Sequence, residues 1–508
     1  MGSRVKNASR NIVFGIALKL YQIIVPFVMR TIMIYYLGVE YLGLNSLFTS
    51  ILSVLSIAEL GVGTAMVFHM YEPIAKNDDL KVCALLKLYK VYYRIIGTVI
   101  LVVGMSLCPF LNYIIKSDVP NGINIYLLYI LNLMATVLSY WLFAYRASVL
   151  DANQRTDLKS KVTLVVNTFQ YLIQAFFLIK FKNYYAYVIV FLVFQVINNL
   201  LCAYLSKKNY PNYKPLGELN KEEKKAVNQK VKDLFSVKIG ATILNSADTI
   251  VISTFMGLSS LAIYQNYFYV ISSLNGIVVI ILSSMTASVG NSIVLETPDK
   301  NYKDFKNISF LMNSIFAFIV CELMCLYQDF MEIWTGKELL LSKDFIILFC
   351  MYFYIYVQTL TLCLFKDAAG IWHSDRLRPL VTGVVNFIVN IVLVQFIGLY
   401  GILVSTIVSL TLIGYPWLLK SVFTEVFKNK GIKEYLTISF KYFVATVLIA
   451  SICYCSCLKI TSVSILNFII KGFIVLFVFS VIWLLMFNKE KEFKNIIGYA
   501  KKIRFKHN

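Results

Sequence analysis

The sequence predicts an all-α polytopic membrane protein with about fourteen transmembrane helices. Three observations predict this fold class: hydrophobic residues make up 59% of the 508 residues, charged residues make up only 15%, and the mean hydropathy is +0.71. Soluble domains are typically about 45–50% apolar, with Gly counted instead of Tyr, and about 25% charged. This composition argues against a soluble globular enzyme, a disordered chain and a coiled coil.

Fourteen apolar segments are long enough to cross a bilayer, since a spanning helix needs about 20 predominantly apolar residues. Helices are the expected form, because backbone groups in lipid must be hydrogen-bonded within their own segment. The predicted spans 1 to 14 cover residues 12–36, 42–68, 84–109, 122–149, 158–180, 183–206, 234–256, 261–294, 305–328, 343–366, 377–397, 400–424, 436–458 and 463–487.

The distribution of basic residues supports an even number of spans and predicts that both termini are cytoplasmic. With that orientation, 37 of the 48 Lys and Arg residues fall on the cytoplasmic side, 6 fall outside, and 5 lie within spans. This asymmetry is the positive-inside pattern of membrane proteins. It also explains the net charge of +21 without nucleic acid, because no water-soluble domain is available to carry a basic patch.

An internal repeat divides the predicted bundle. Residues 36–44 (YLGVEYLGL) resemble residues 255–263 (FMGLSSLAI) at an offset of 219 residues, and both fall at an outer turn. The repeat predicts two six-helix lobes of equal orientation plus two C-terminal helices; the alternative is a chance likeness of short apolar stretches. The predicted domains are an N-lobe at 1–206, a basic cytoplasmic linker at 207–233, a C-lobe at 234–424, spans 13 and 14 at 425–487, and a basic cytoplasmic tail at 488–508.

Ionisable side chains at membrane depth are costly and are therefore functional candidates. In span 1, Lys19 and Arg30 are 11 residues apart, so they lie on one helical face about 16 Å from each other. Two cations on one face require water, an anion or an acidic partner. We therefore expect span 1 to contribute a basic lining to a hydrated central cavity.

Spans 2, 7 and 8 each carry a polar or small face at helical spacing. We predict that this face lines the same cavity and that its carboxylates couple transport to a cation or proton. The predicted lining residues are Asn45, Thr49 and Glu59 in span 2, Lys238, Asn245 and Asp248 in span 7, and Gln265 in span 8. The alternatives are simple helix packing through small and hydroxyl residues, and pairing of the carboxylates with Arg30 or Lys238.

The sequence offers no motif for nucleotide, metal or nucleophilic chemistry. It lacks a Gly-rich loop ending in Lys-Ser/Thr and an H-E-x-x-H motif, and its three histidines are dispersed. The ten cysteines lie mostly in apolar runs, where they act as small apolar residues, and the alternating Cys453, Cys455 and Cys457 cannot converge on one metal. We therefore predict a protein that is not an enzyme and has no cofactor or metal.

Three stretches resemble polysaccharide flippases of the Wzx type, in the multidrug/oligosaccharidyl-lipid/polysaccharide exporter superfamily. They are Tyr36–Pro73 (YLGVEYLGLNSLFTSILSVLSIAELGVGTAMVFHMYEP), Asn245–Tyr264 (NSADTIVISTFMGLSSLAIY) and the Gly398-x-x-Gly401 turn. The resemblance implies alternating access and translocation of undecaprenyl-pyrophosphate-linked oligosaccharide repeat units from the inner to the outer leaflet, for export of a capsule, exopolysaccharide or O-antigen. By position, it implies that Lys19, Arg30 and Lys238 form a cationic substrate site.

The implied partners are the lipid-linked oligosaccharide, membrane lipids, a polysaccharide polymerase and glycosyltransferases, and the implied location is the bacterial cytoplasmic membrane. Two alternatives belong to the same superfamily. A cation-coupled multidrug antiporter would have twelve spans and an acidic cavity, and in a lipid II flippase spans 13 and 14 would help to form a lipid groove. A membrane glycosyltransferase or polymerase is an alternative from another class, but no loop exceeds about thirty residues and no D-x-D pair faces the predicted cytoplasmic side.

Overall fold

The computed structural model describes residues 2–59, 61–116, 119–120, 122–371 and 374–506. Within these ranges the chain forms α-helices joined by short 3₁₀ and π turns, and no β-strand occurs there. The helices are α1 (Gly2–Tyr36), α2 (Val39–Leu55), α3 (Val62–Ala75), α4 (Asp79–Leu107), α5 (Leu111–Ile114), α6 (Ile125–Trp141), α7 (Ala147–Ala152), α8 (Thr156–Phe181), α9 (Tyr184–Asn209), α10 (Lys221–Met256), α11 (Leu258–Leu295), α12 (Pro298–Thr335), α13 (Asp344–Ala369), α14 (Arg378–Ile397), α15 (Leu399–Ser409), α16 (Tyr415–Glu425), α17 (Ile432–Cys457), α18 (Ile465–Phe487) and α19 (Lys491–Lys506).

The predicted fold class of an all-α polytopic membrane protein is confirmed. Among the described residues, 11 helices are long and apolar enough to cross a membrane, and the bent pair made of α6 and residues 144–152 brings the number to 12. The two remaining predicted spans, 42–68 and 234–256, coincide with the α2–α3 pair and with the second half of α10. Each predicted span therefore falls on a helix or on two helices separated by a turn.

The distribution of polarity within α8 is that of a helix in lipid. Phe169 and Leu172 are exposed, whereas Gln170 and Gln174 are buried. The Gln170 side-chain amide donates a hydrogen bond of 3.2 Å to the Gln174 amide oxygen, and Gln174 donates one of 2.9 Å to the backbone carbonyl of Tyr187 on α9. The polar side chains of α8 are buried and its apolar side chains are exposed, which indicates that the exposed face of the helix contacts the hydrocarbon of the bilayer.

Packing divides the chain into two compact units, residues 1–265 (unit 1) and residues 266–508 (unit 2). The division falls within α11, not in the linker 207–233, because α10 packs on α2 and α3 and so joins unit 1. The division into two six-helix lobes with the linker between them remains a prediction.

The linker contacts the rest of unit 1 closely. The run Lys221–Lys225 is the first part of the 36-residue helix α10. Neither Gly nor Pro interrupts residues 221–239, so the helix continues from the linker into the apolar segment. Asn220 caps α10 in a capping box with Glu223, and Glu223 pairs with Lys81 of α4 at 2.7 Å.

The two repeated turns have the same local geometry. Gly38 (φ 112°, ψ 169°) and Gly257 (φ 87°, ψ 176°) occupy equivalent positions and adopt a conformation that is accessible mainly to glycine. The turns also contact each other, since the Ser259 hydroxyl donates a hydrogen bond of 3.4 Å to Glu40, its equivalent at an offset of 219 residues. A Cβ added to Gly43 would lie 2.2 Å from the backbone oxygen of Leu258, so only glycine allows this approach.

In unit 2, the two C-terminal membrane helices α17 and α18 pack on α12. A buried ion pair joins α18 to α12, with Lys471 Nζ 2.6 Å from Asp329 Oδ2. Beside them, α14 and α15 form a hairpin that is closed by a fully buried polar network, in which Asn386 donates hydrogen bonds to Ser405 and Thr406. The close approach of these helices needs Gly401, whose added Cβ would lie 2.6 Å from the backbone carbonyl carbon of Leu393.

Candidate functional site

The second predicted span is broken in the structure. Helix α2 ends at Leu55, residues 56–59 form a 3₁₀ turn, and α3 begins at Val62 after Gly61 has adopted the left-handed conformation (φ 96°). Irregular backbone at membrane depth is tolerated only where it is buried in protein or lines a cavity. The break therefore marks a place where a polar cavity is expected.

A carboxylate lies at this break. Glu59 is half-buried, and its Oε1 accepts a hydrogen bond of 3.0 Å from the Tyr93 hydroxyl, which in turn accepts one of 2.7 Å from Tyr89. Gly63 closes the cluster, because a Cβ at that position would lie 2.9 Å from Tyr89 Oη and 3.1 Å from Glu59 Oε1. The two tyrosines on α4 thus hold the orientation of the Glu59 carboxylate.

The fourth predicted span is broken as well. Helix α6 ends at Trp141, and the chain bends by 45° before it continues through residues 144–152. The bend is made by Phe143 in the left-handed region (φ 58°, ψ 14°). Such a conformation is rare for a bulky residue and costs on the order of 1–3 kcal/mol, and strain of this kind is concentrated at functional sites.

Both breaks border one pocket of about 550 Å³ inside unit 1. Its rim carries three aromatic side chains that are about half exposed, Phe68, Tyr71 and Phe143. Its polar lining consists of the carboxylates of Glu59 and Asp151, the ammonium of Lys159, the amides of Asn198 and Asn199, and the hydroxyls of Thr64, Ser148, Tyr71, Tyr89 and Tyr93. We call this cavity the two-break pocket.

The polar residues of the two-break pocket are positioned by hydrogen bonds and ion pairs. Lys159 Nζ lies 3.0 Å from Asp151 Oδ2, and the Asn199 amide donates a hydrogen bond of 2.8 Å to the backbone oxygen of Ser139. Carboxylate and amide oxygens accept hydrogen bonds from hydroxyl or ammonium groups, and aromatic faces cover apolar or cationic surfaces. The pocket is therefore suited to a polyhydroxylated or cationic group.

The predicted cationic residues are only partly described. Lys19 on α1 is exposed, whereas Arg30 is half-buried and lies near enough to Tyr187 of α9 to interact with its phenol electrostatically. Lys238 lies on α10, but its side chain is outside the described part of the structure. The role of these three residues in binding an anion remains a prediction.

The predicted polar face of span 2 does not extend over the whole span. Asn45 accepts a hydrogen bond of 3.5 Å from the Tyr184 hydroxyl, and the exposed Thr49 bonds to the Asn45 carbonyl of its own helix at 2.8 Å. Glu59 lies beyond the end of α2, so the helical phase that relates it to Asn45 is lost at the 3₁₀ turn. The prediction of one continuous face was wrong because it assumed 100° per residue throughout.

The structure brings together the predicted residues of spans 7 and 8 that flank the Gly257 turn. Asp248 is buried and its Oδ2 accepts a hydrogen bond of 3.4 Å from the Tyr264 hydroxyl. One residue further along each helix, the Gln265 amide donates a hydrogen bond of 2.8 Å to Thr249. Asn245 lies on the same helix, but its side chain is not among those described. A coupling role for this cluster stays a prediction.

Several residues of the two-break pocket were missed by the sequence analysis. Nothing in the sequence distinguishes Tyr93 and Phe143 from other residues, because the hydrophobic segments contain many aromatic side chains. The pair Gly61 and Gly63 was a usable signal, since glycines in a helical pattern often mark a break. Cys455 is exposed while Cys453 and Cys457 are buried, as expected for alternating positions, and no group of three His, Cys, Asp or Glu in the described ranges could hold a metal ion.

Comparison with known proteins identifies the fold. No protein-family model and no curated protein matches this chain. An inward-facing MATE multidrug-resistance transporter of the MOP superfamily matches with a TM-score of 0.64 and 12% identity over 82% of this chain and 96% of that chain. The lipid II flippase MurJ, in an inward closed conformation, matches with a TM-score of 0.66 and 16% identity over 94% and 99% of the two chains.

A third structure, a mutant of the MATE transporter VcmN of Vibrio cholerae, matches with a TM-score of 0.55 and 13% identity over 85% of this chain and 99% of that chain. At these identities the likeness establishes the fold alone. The fold that the resemblance implies is thus confirmed, whereas membership of the superfamily and Wzx-type specificity remain predictions. This multi-pass membrane protein has the fold of the MOP-superfamily transporters.

Proposed function

We propose that the protein is a flippase that moves undecaprenyl-pyrophosphate-linked oligosaccharide units from the inner to the outer leaflet of a bacterial cytoplasmic membrane. The observation that carries the proposal is the extent of the structural likeness. The flippase MurJ matches 94% of the chain and the MATE transporter of the MOP superfamily 82%. The difference is 12% of 508 residues, or about 61 residues, and the stretch from the start of α17 to the end of α18 (432–487) has 56 residues.

The two ends of such a substrate need different environments. A pyrophosphate cannot cross hydrocarbon unaided, and the predicted basic face of α1 with Lys19 and Arg30 would take the place of water around it. The sugars need hydrogen-bond acceptors and aromatic faces, which the two-break pocket offers through Glu59, Asn198 and Tyr71. Outward movement of an uncompensated anion would gain about 2.3 kcal/mol per charge per 100 mV of membrane potential.

The test is a chromosomal deletion with plasmid rescue. We expect the deletion to accumulate lipid-linked glycan on the inner leaflet, wild-type protein to restore surface glycan, and Arg30→Ala to restore at most about a tenth of it. Lys208→Ala, which changes an exposed lysine at the end of α9, is the matched control and should rescue fully. Normal surface glycan in the deletion strain, with no second flippase gene present, would contradict the proposal.

A cation-coupled multidrug antiporter is the second candidate, and one observation favours it. The two-break pocket holds two carboxylates and an aromatic rim, which is a lining suited to organic cations. The same deletion strain separates the candidates. Increased sensitivity to cationic drugs without a glycan defect would favour the antiporter.

A further inference from the structure

A second cavity, of about 570 Å³, lies within unit 2 between α13, α15, α16 and α17. Its rim is apolar and open to the surroundings, since Leu412 is 70% exposed and Phe440 is 67% exposed. We call it the apolar groove. All of its lining residues belong to helices that are predicted to span the membrane. Its most exposed side chains are apolar, as expected for a surface in contact with hydrocarbon.

The groove owes its shape to a π turn. Residues Leu410–Gly414 form this turn between α15 and α16, and Thr411 and Leu412 within it line the groove. A π turn adds a residue to the helical circumference while its backbone remains hydrogen-bonded, and such turns are frequent at functional sites. The helix therefore bulges without exposing polar backbone to lipid.

The floor of the groove is fixed by internal hydrogen bonds. The Tyr354 hydroxyl donates a bond of 3.1 Å to Asn313 Oδ1, and the Gln358 amide donates to the same oxygen. The protons used in these bonds are not available to a ligand. The rim that remains is formed by apolar side chains, among them Ile407, Leu412 and Phe443.

The groove is shorter than the hydrocarbon depth of one leaflet. On α17 it runs from Leu436 to Phe443, about 10 Å at 1.5 Å per residue. This is about a third of a hydrocarbon core of about 30 Å. Lys433 lies seven residues before Phe440, so both occupy the same face of α17 and the groove ends beside this lysine.

The end of the groove beside Lys433 is basic. Lys433 is exposed, and so is Lys428 in the turn that leads into α17. Among the acidic residues around this turn, Asp299 pairs with Lys430 and Glu434 pairs with Lys306, each at 2.8 Å, and Glu425 accepts a hydrogen bond from the Ser374 hydroxyl. An anionic group at this end would therefore meet positive charge that these acids do not neutralise.

We propose that the apolar groove binds a hydrocarbon chain of an anionic phospholipid of the phosphatidylglycerol class, whose phosphate contacts Lys433. The groove is too short for a partner helix and too apolar for a sugar, and its basic end complements a phosphate. Binding would hold α17 against α13 and α16 in the leaflet that carries the basic loops. The proposal does not depend on which substrate the protein transports.

The test is native mass spectrometry of the full chain, purified in detergent, with phosphatidylglycerol and phosphatidylcholine of identical acyl chains. We expect wild-type protein to retain phosphatidylglycerol about fivefold better, which corresponds to about 1 kcal/mol for one lysine near the membrane surface. Lys433→Gln should abolish this preference, and the exposed Lys459 at the other end of α17 provides the control Lys459→Gln, which should keep it.

A second variant tests the groove itself. Thr411→Phe places a ring in the groove and should reduce retention of both lipids, whereas Thr98→Phe, at an exposed threonine of α4, should leave retention unchanged. Equal retention of both lipids by the wild-type protein would overturn the proposal, and so would unchanged retention by Thr411→Phe. If Thr411→Phe fails to fold, the surface variant Lys433→Gln decides alone.

Discussion

The two-break pocket of unit 1 and the apolar groove of unit 2 have similar volumes, about 550 and 570 Å³, but opposite chemistry. The difference follows from how each helix departs from α geometry. In unit 1, a 3₁₀ turn and left-handed residues interrupt the helices, so backbone groups lose their partners and need a polar cavity. In unit 2, the π turn keeps its hydrogen bonds, so the widened helix can face lipid.

The two units also differ in the surroundings of their ionisable side chains within the membrane. The largest expected effect of a mutation on stability follows from this difference. In unit 2 the Lys471–Asp329 pair is buried between helices, whereas Glu59 of unit 1 borders a cavity. Lys471→Met should lower the free energy of unfolding by about 3–5 kcal/mol, because it leaves a buried carboxylate uncompensated. Adding Asp329→Leu should recover most of this loss in denaturant titrations of the detergent-solubilised protein. If Lys471→Met alone were as stable as the wild-type protein, Asp329 would have to be hydrated.

The second prediction fills the two-break pocket. Gly63→Leu should clash with Tyr89 and Glu59, lower the free energy of unfolding by about 1–3 kcal/mol and abolish rescue of the deletion strain. Gly15→Leu is the matched control for stability, because a Cβ at Gly15 meets nothing within 4 Å. Full rescue by Gly63→Leu would show that the pocket has no part in transport.

The third prediction concerns strain at the bend after α6. Phe143→Asn should raise stability by about 1 kcal/mol, because asparagine tolerates the left-handed conformation better than phenylalanine does. The same change removes an aromatic side chain from the pocket rim, so rescue of the deletion strain should fall. The temperature of thermal unfolding should therefore rise while the amount of surface glycan falls. A decrease in both quantities would mean that Phe143 mainly supports packing.

The smallest effect is expected at the Lys81–Glu223 pair, which joins α4 to the start of α10. The hydrogen bond from Lys81 lowers the pKa of Glu223 below its usual value of about 4.5, so the pair stabilises the fold above that pH and the contribution is lost as the pH falls. Because both side chains are about a third exposed, Glu223→Gln should cost less than about 1 kcal/mol at pH 7. Once the pH falls below the lowered pKa of Glu223, the wild-type and variant stabilities should converge. A difference that persists at low pH would mean that the charge of Glu223 is not its source.

Much of the architecture was readable from the chain alone. Hydropathy located every helix in the described ranges that is long and apolar enough to cross a membrane. The repeat placed Gly38 and Gly257 at corresponding turns between spans, and in the structure these turns have the same local geometry. The assumption of regular helical spacing was wrong at residues 56–59, where a 3₁₀ turn interrupts the α-helix. It therefore placed Glu59 on a face with Asn45, whereas the structure places it with Tyr93 of α4.

The sequence by itself determined that the protein lies in a membrane and where its helices run, because transfer of apolar side chains into lipid is a local property that adds up along a segment. The positions of the breaks and the cavities were decided by the tertiary structure. Phe143 can hold a left-handed conformation, and residues 410–414 can form a π turn, only because neighbouring helices supply contacts that offset the local cost. Those contacts join residues far apart in the chain, and no pattern along one segment records them.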